Sequence, residues 1–244
     1  MRSGVGRKYV KSNRIALCVL ITVYLVSATG CSKPNTGAVE ERYERGILLW
    51  ESGEFHSALK EFQVAEKLAP DNARVYYMIG MTYEGLNDIE NAARAYERSI
   101  ELDSTYAVVH HRYGYVLESL GNIERALIEH QTATQLRPTD PVLQIGLGHI
   151  QEVSGDEQAA FRSFEKVLQM DSKSSTALSR LGHLHANHGD RAKAIEFLQR
   201  AIELDPNDKD AQRRLTELKA QAATSDQGGN TGNHGDEETG KPPG

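Results

Sequence analysis

The chain has 244 residues, of which 39% are hydrophobic and 25% are charged, and its formal net charge is −6. These values are ordinary for a soluble protein, so they argue against a chain that is embedded in a membrane or disordered throughout. Residues 1–30 carry five basic residues and no acid, which leaves the rest near −11, the total of −6 less their +5. Since nucleic-acid binding needs a basic surface, we expect no nucleic-acid partner for this acidic body.

The N-terminal segment has the pattern of an export signal. A basic stretch from Arg7 to Arg14 precedes an apolar run of 12 residues, Ile15 to Val26. That length suits the core of a signal peptide and is short for a helix that must cross ~30 Å of hydrocarbon. We therefore predict that residues 1–30 are a signal peptide outside the fold. An uncleaved anchor and a signal that is cleaved without lipid attachment are the alternatives.

The end of this segment, Ala28-Thr29-Gly30-Cys31, resembles the lipobox of bacterial lipoproteins. The resemblance implies cleavage before Cys31 and a diacylglycerol on its thiol, although Ala28 replaces the usual leucine. Ser32, rather than aspartate, follows the cysteine, as in lipoproteins that are sorted to the outer membrane. We expect a lipid anchor in a bacterial outer membrane, facing the periplasm, with residues 31–38 as a tether. The other cysteine, Cys18, lies in the apolar run, so the body has none for a disulfide framework or a zinc site.

A period of 34 residues runs through the body of the chain. Glycine recurs at Gly46, Gly80, Gly114, Gly148 and Gly182. Alanine recurs at Ala58, Ala92, Ala126, Ala160 and Ala194. A larger residue follows each alanine by four positions: Phe62, Tyr96, His130, Phe164 and Leu198. Columns that keep their register over five periods indicate a repeat architecture.

Each unit is predicted to form a helix, a turn and a second helix. In the second unit, helix-length runs from Val75 to Leu86 and from Ile89 to Leu102 flank a turn at Asn87-Asp88. The small glycine and alanine columns allow the two helices to approach closely. The larger residue lies on the same helical face as the alanine, where it fills the space toward the next repeat.

These columns resemble the tetratricopeptide repeat (TPR) family, whose unit has 34 residues. The resemblance covers residues 39–208, about 70% of the chain. It implies an all-α solenoid, a right-handed superhelix of helical hairpins. The predicted repeats are 39–72, 73–106, 107–140, 141–174 and 175–208. Residues 209–222 look like a capping helix, and the polar, glycine-rich residues 223–244 are predicted to be disordered.

The family resemblance also implies a partner groove that is lined by the first helix of each unit. Family contact positions correspond here to Tyr43, Ile47, Trp50, Tyr77, Met81, Glu84, His111, Tyr115, Glu118, His149 and Glu152. The aromatic members suggest an apolar strip of the kind found in interface hot spots, and an acidic row (Glu84, Glu118 and Glu152) runs beside it. We expect other proteins as partners, bound through an extended or helical segment with apolar anchors and basic residues. Alternatively, the row is solvated surface and some aromatics pack between repeats.

Neither a catalytic site nor a metal or cofactor site is expected. His183 and His185 are two residues apart and point to different helical faces, so with His188 they do not make a convincing zinc site. The series His111, His149 and His183 is spread along the groove. No nucleophile motif or phosphate-binding loop stands out. Similar repeats precede the catalytic domain of O-linked N-acetylglucosamine transferases, but we expect no room for such a domain here.

The sequence therefore favours a non-catalytic, membrane-anchored scaffold or adaptor for envelope protein assembly. The chain is similar to repeat lipoproteins that help assemble pili or secretion pores, or that recruit cell-wall hydrolases, and the pathway is an analogy. Two alternatives stay open. One is a structural protein that associates with itself, and the other is an accessory subunit that shares a transferase-like name without the catalytic domain.

Overall fold

The computed structural model describes residues 36–228, and within that range it contains eleven α-helices and no β-strand. The predicted all-α class is confirmed for this part of the chain. The chain divides into two compact units, the first ending at Asp71 and the second beginning at Asn72. The predicted signal peptide, Cys31 and residues 229–244 lie outside the described residues. Within the described range, no helix is long and apolar enough to span a membrane.

The first unit is a single helix pair, α1 (Thr36–Glu51) and α2 (Phe55–Leu68). Helix α1 begins three residues before the predicted repeat boundary at 39, so residues 36–38 of the predicted tether are helical. Val39 is buried, and the additional residues place it inside a complete turn of helix rather than at a fraying end.

The second unit contains four helix pairs and a final helix. They are α3 (Ala73–Gly85) with α4 (Ile89–Leu102), α5 (Ala107–Ser119) with α6 (Ile123–Leu136), α7 (Pro141–Val153) with α8 (Glu157–Met170), α9 (Ser175–Asn187) with α10 (Arg191–Leu204), and α11 (Lys209–Gly228). The most extensive packing is within each pair. The second helix of each pair also contacts the first helix of the next, and α10 contacts α11 in the same way.

Short polar side chains fix where most of these helices begin. Side-chain oxygens accept hydrogen bonds from N–H groups of the first turn at Asn72, Asp88, Asp140, Asp156, Ser174 and Asp190. Helix α3 begins at Ala73, two residues before the predicted Val75. The reason is that the Arg74 N–H donates to Asn72 Oδ1 at 3.1 Å, which caps the helix there.

The turn inside each repeat contains one residue with a positive φ angle, between 58° and 83°: Gly53, Asn87, Gly121, Gly155 and Gly189. Glycine and asparagine tolerate this left-handed conformation better than other residues. In the turn after α5, the N–H of Asn122 donates to the carbonyl of Leu117 at 2.8 Å and closes the helix end. The turns predicted from the sequence are therefore confirmed.

At each glycine of the 34-residue period, the first helix of a pair packs directly against the larger side chain of the second helix. A methyl group at Gly80 would lie 2.5 Å from Cε1 of Tyr96, and one at Gly148 would lie 2.7 Å from Cε1 of Phe164. Both rings are fully buried. Only a hydrogen atom fits such close-packed positions, so the predicted role of the column is confirmed.

The last helix, α11, runs from Lys209 to Gly228, six residues past the predicted end at 222. The helix therefore includes residues 223–228, which the sequence assigned to the tail. Alanines 222 and 223 extend the helix because alanine has the highest helix propensity, and the helix ends at a glycine. Ala211 and Leu218 of α11 are buried in one cluster with Ala194 and Leu198 of α10, as expected of a cap.

Candidate protein-binding site

Three of the eleven candidate residues lie on α1 of the first unit. Tyr43 is buried, with its ring edge-on to Phe62 at a centroid distance of 5.9 Å. Trp50 is half-buried and meets Phe55 in the same manner at 6.2 Å, and Ile47 is also half-buried. Tyr43 is therefore not part of the exposed strip that the sequence led us to expect. Its ring packs against Phe62, the residue that faces Gly46 across the helix pair.

Helix α3 supplies Tyr77, Met81 and Glu84. Met81 is only 9% exposed, so it belongs to the core rather than to an open strip. The half-buried ring of Tyr77 lies 6.1 Å from that of Tyr96 and 5.3 Å from that of Tyr106. Burial raises the pKa of the Tyr77 hydroxyl, with Arg112 opposing it. Tyr77 therefore presents only part of its ring to a partner.

Helices α5 and α7 supply the remaining candidates. His111 is 8% exposed, whereas Tyr115, Glu118, His149 and Glu152 are half-buried. His111 therefore joins Tyr43 and Met81 as a third residue whose side chain is directed into the fold. The half-buried members leave a surface of partly accessible rings and carboxylates on the first helices of the second unit.

The acidic row is paired within the protein, because each carboxylate meets a cationic or ionisable group of the following repeat. Arg112 Nη1 lies 3.5 Å from Glu84 Oε2, and Arg180 Nη1 lies 3.6 Å from Glu152 Oε2. His149 Nε2 lies 2.9 Å and 3.1 Å from the two carboxylate oxygens of Glu118. The row therefore links consecutive repeats and is not an uncompensated strip of negative charge.

Sequence reasoning missed these partners, although the period carries a signal for them. An arginine follows Glu84 by 28 residues at Arg112, and another follows Glu152 by the same spacing at Arg180. The residue 28 positions after Glu118 is Gly146, which cannot form an ion pair, and Glu118 pairs with His149 instead. A carboxylate and a guanidinium at a fixed spacing on the first helices of consecutive repeats can be sought in any repeat array.

Two members of the acidic row have additional surroundings that the sequence did not indicate. The hydroxyl of the fully buried Tyr96 donates a hydrogen bond to Glu84. Burial raises the pKa of Glu152, and Arg180 and His149 oppose that rise. One carboxylate oxygen of Glu152, Oε2, is buried and accepts no hydrogen bond.

A histidine cluster, made of His111, Tyr115, His130 and His149, lies where α5, α6 and α7 meet. The ring centroid of His130 is 5.2 Å from that of His111 and 4.9 Å from that of Tyr115. Tyr115 also lies 5.0 Å from His111 and 6.0 Å from His149. Gly146 provides the space, since a methyl group there would lie 2.6 Å from Cε1 of His111 and 2.9 Å from Cε1 of His130.

The two inner histidines of this cluster are held neutral. His130 is fully buried, and neither of its ring nitrogens has a hydrogen-bond partner, nor does Nδ1 of His111. Burial lowers the pKa of His130 to about 3, with His111 and His149 adding to the shift. Burial and, less strongly, Arg112 lower the pKa of His111 to about 4. A charged imidazole is disfavoured there because no acceptor compensates its lost hydration.

A polar cavity of about 460 Å³ lies at the end of the second unit. Its walls come from α7, α9, α11 and the turn before α11, and they include Glu152, Arg180, His183, Asp205, Asp208, Asp210 and Arg213. Four carboxylates thus face two guanidinium groups. Burial lowers the pKa of His183, which disfavours its positive charge.

The described residues include no group of three or more histidine, cysteine, aspartate or glutamate side chains placed to hold a metal ion. His185 stacks on Phe197 at 5.3 Å, and His188 Nε2 lies 3.3 Å from Glu157. His183 instead lines the polar cavity. His185 and His188 share one neighbour, the ring of Phe161, at centroid distances of 5.0 Å and 5.3 Å, whereas His183 lies apart from them.

Two family models, both described as tetratricopeptide repeat, match residues 73–106 and 153–222. No curated protein sequence matches the chain. Several solved structures are similar. PilF of Pseudomonas aeruginosa has a TM-score of 0.70 at 17% identity, over 78% of this chain and 87% of PilF. YrrB, described as a TPR protein with an unusual peptide-binding site, has a TM-score of 0.60 at 24% identity, over 78% and 97%. MamA of Desulfovibrio magneticus has a TM-score of 0.62 at 18% identity, over 70% and 97%.

Proposed function

We propose that this chain, a tetratricopeptide repeat protein, is a non-catalytic adaptor that binds other proteins on the periplasmic side of a bacterial envelope. The observation that carries the proposal is the set of half-buried rings and carboxylates on the first helices of the second unit. Such repeats serve as binding surfaces, and YrrB is described as having a peptide-binding site. We extend peptide binding to this chain on that basis.

The partner's contact segment carries apolar anchors and basic residues. Tyr77 and Tyr115 are half-buried, so each offers part of a ring for an apolar side chain to cover. The polar cavity supports a basic residue, because its carboxylates outnumber its guanidinium groups by two. The acidic row contributes less attraction than a free row would, since its members already pair with Arg112, His149 and Arg180.

A matched pair of variants tests this choice of surface. Replacing Glu84, Glu118 and Glu152 by glutamine should weaken capture of crosslinked envelope proteins at low salt. Replacing the exposed Glu90, Glu124 and Glu165 removes the same charge from second helices and should leave capture unchanged. If both triple variants behave alike, or neither has an effect, the first-helix surface is not where partners bind.

The location of the adaptor is part of the proposal. The segment Ala28-Thr29-Gly30-Cys31 supports lipid attachment at Cys31, and Ser32 supports sorting to the outer membrane. The Cys31→Ala variant should lose incorporation of radiolabelled palmitate and leave the membrane fraction. The Cys18→Ala variant, which alters the only other cysteine, should keep both. Equal labelling of the two variants would remove the anchor from the proposal.

The alternative to an adaptor is a structural protein that associates with itself. Size-exclusion chromatography of the purified chain at several concentrations distinguishes them. An adaptor keeps a constant small oligomeric state when no partner is present. Growth to large assemblies with rising concentration would favour the structural role.

A further inference from the structure

We propose that the histidine cluster makes the middle of the binding surface acid-labile, so that α5 and α6 loosen from α7 when the surroundings become acidic. This inference rests on the proposed function in one respect, namely that the loosened surface is the one that holds a partner. The cluster includes three of the candidate contact residues, His111, Tyr115 and His149. Its core residue, His130, packs against His111 and Tyr115, and His149 joins the cluster through Tyr115.

The geometry provides no favourable place for an added proton. His130 is fully enclosed, and none of its ring nitrogens reaches an acceptor. Its nearest ring neighbours are His111 and Tyr115, both edge-on to it. A second N–H on His130 would therefore be buried without a partner and beside another imidazole, which costs far more than protonation in water.

The charged and titratable groups around the cluster do not supply a compensating negative charge to its core. Glu118 is the carboxylate of α5, and it is already bound to His149 of α7. Asp140 at the start of α7 acts weakly on His111, and Arg112 opposes it. The groups that face the cluster are Arg112, Tyr115 and Glu118 from α5, Asp140 and His149 from α7, and Arg180 from α9.

The sign of the effect follows from where protons bind. The pKa values of His111 and His130 in the folded state lie below the ordinary value of 6.5. Their stabilising contribution is complete above pH 6.5, and it is lost as the pH falls from there toward the folded-state values. Between those limits the opened state binds more protons, so each histidine favours opening by up to about tenfold per pH unit.

The same position in the other repeats has no such group. Phe62, Tyr96, Phe164 and Leu198 occupy it, and none of them gains a proton in this pH range. The space that Gly146 provides is also found only in the fourth repeat among these three, because the corresponding residues of the neighbouring repeats are Arg112 and Arg180. Among the five residues of this column, only His130, at the contact between the third and fourth repeats, can therefore make a joint acid-labile.

Hydrogen exchange of the intact chain tests the inference without a partner. We would compare the wild type with His130→Phe and His130→Leu, which install residues that this chain already uses at that position. The readout is the opening constant of amides in α5, α6 and α7 at pH 6.5 and 4.5, corrected for intrinsic exchange. The exposed His56→Phe variant of the first unit controls for the loss of one histidine.

The expected result is that acid raises the opening constant of the wild type by up to about a hundredfold more than that of His130→Phe. His56→Phe should follow the wild type. If His130→Phe does not fold, His130→Leu gives the same comparison with a smaller side chain. Equal pH dependence in the wild type and the folded His130 variants would overturn the inference. Failure to bind any partner would instead overturn the proposed function and leave this result intact.

Discussion

His110 and His111 are neighbours in the sequence, yet their imidazoles lie in opposite electrostatic surroundings. His110 Nδ1 lies 2.6 Å from Glu129 Oε2, and its Nε2 lies 3.0 Å from the carbonyl oxygen of Ser104. Both partners are acceptors, so this ring can donate from both nitrogens as an imidazolium. His111 faces Gly146 and other rings, and its Nδ1 has no partner. Successive positions on α5 therefore stabilise opposite protonation states.

Histidine-selective NMR should resolve the two titrations. Burial lowers the pKa of His110, but Glu129 and the Ser104 carbonyl outweigh it, so the net pKa is raised above 6.5. The pKa of His111 is about 4. We expect the imidazole of His110 to titrate above pH 6.5. The imidazole of His111 should stay neutral until the pH falls to about 4. Two midpoints near 6.5 would contradict the packing of α5.

Removing the Glu129 carboxylate should destabilise the protein in a pH-dependent manner. Since the folded pKa of His110 is raised, its contribution is complete below pH 6.5 and is lost as the pH rises through the folded value. Glu129→Gln should cost about 2 kcal/mol at pH 6 in urea unfolding, and distinctly less at pH 9. Glu124→Gln, at an exposed position of the same helix, is the control. Equal losses at both pH values would rule out a charged His110.

The contact between Gly148 and Phe164 should appear as a strong coupling. Gly148→Ala forces a methyl group against the ring and should cost about 1–3 kcal/mol, because a packed core resists added volume. Phe164→Ala should cost about 3–5 kcal/mol through the cavity that it leaves. The double variant should lose less than the sum, since the new methyl enters that cavity. Strict additivity in urea unfolding would show that the helices do not approach as described.

The hydroxyl of Tyr96 should contribute through its bond to Glu84. Tyr96→Phe keeps the ring in a column that elsewhere holds Phe62 and Phe164, so the loss isolates the hydrogen bond. We expect a cost of about 1 kcal/mol in unfolding free energy. Tyr83→Phe, which removes the same atom from a half-buried ring of α3, serves as the comparison. A Tyr96→Phe variant as stable as the wild type would exclude the bond.

The helix pairs could be predicted because the same residue types recur every 34 residues. A glycine every 34 residues, with an alanine 12 positions later, constrains helix approach in every unit alike. Helix ends were less predictable. The start of α3 depends on the cap at Asn72, and the end of α11 depends on helix propensity near 223, neither of which belongs to the repeat pattern.

The candidate site was less predictable than the fold because it depends on side-chain reach between repeats. Family positions selected Tyr43, Met81 and His111, but a position on the correct helical face does not decide whether a side chain points outward or packs against the next helix. The pairing of Glu84 with Arg112 requires two helices to be placed first. Gly146, which makes room for the histidine cluster, departs from the period and so lies outside the repeated pattern.

Site-specific photocrosslinking in the envelope tests the central claim most directly. A photoreactive phenylalanine analogue at Arg112, whose side chain is 42% exposed on α5, reports on the proposed binding surface. The same analogue at Ile128, 58% exposed on α6, reports on the second helix of that pair. The adaptor account predicts discrete protein adducts from position 112 and none from position 128. Adducts from position 128 alone, or equally from both positions, would contradict it.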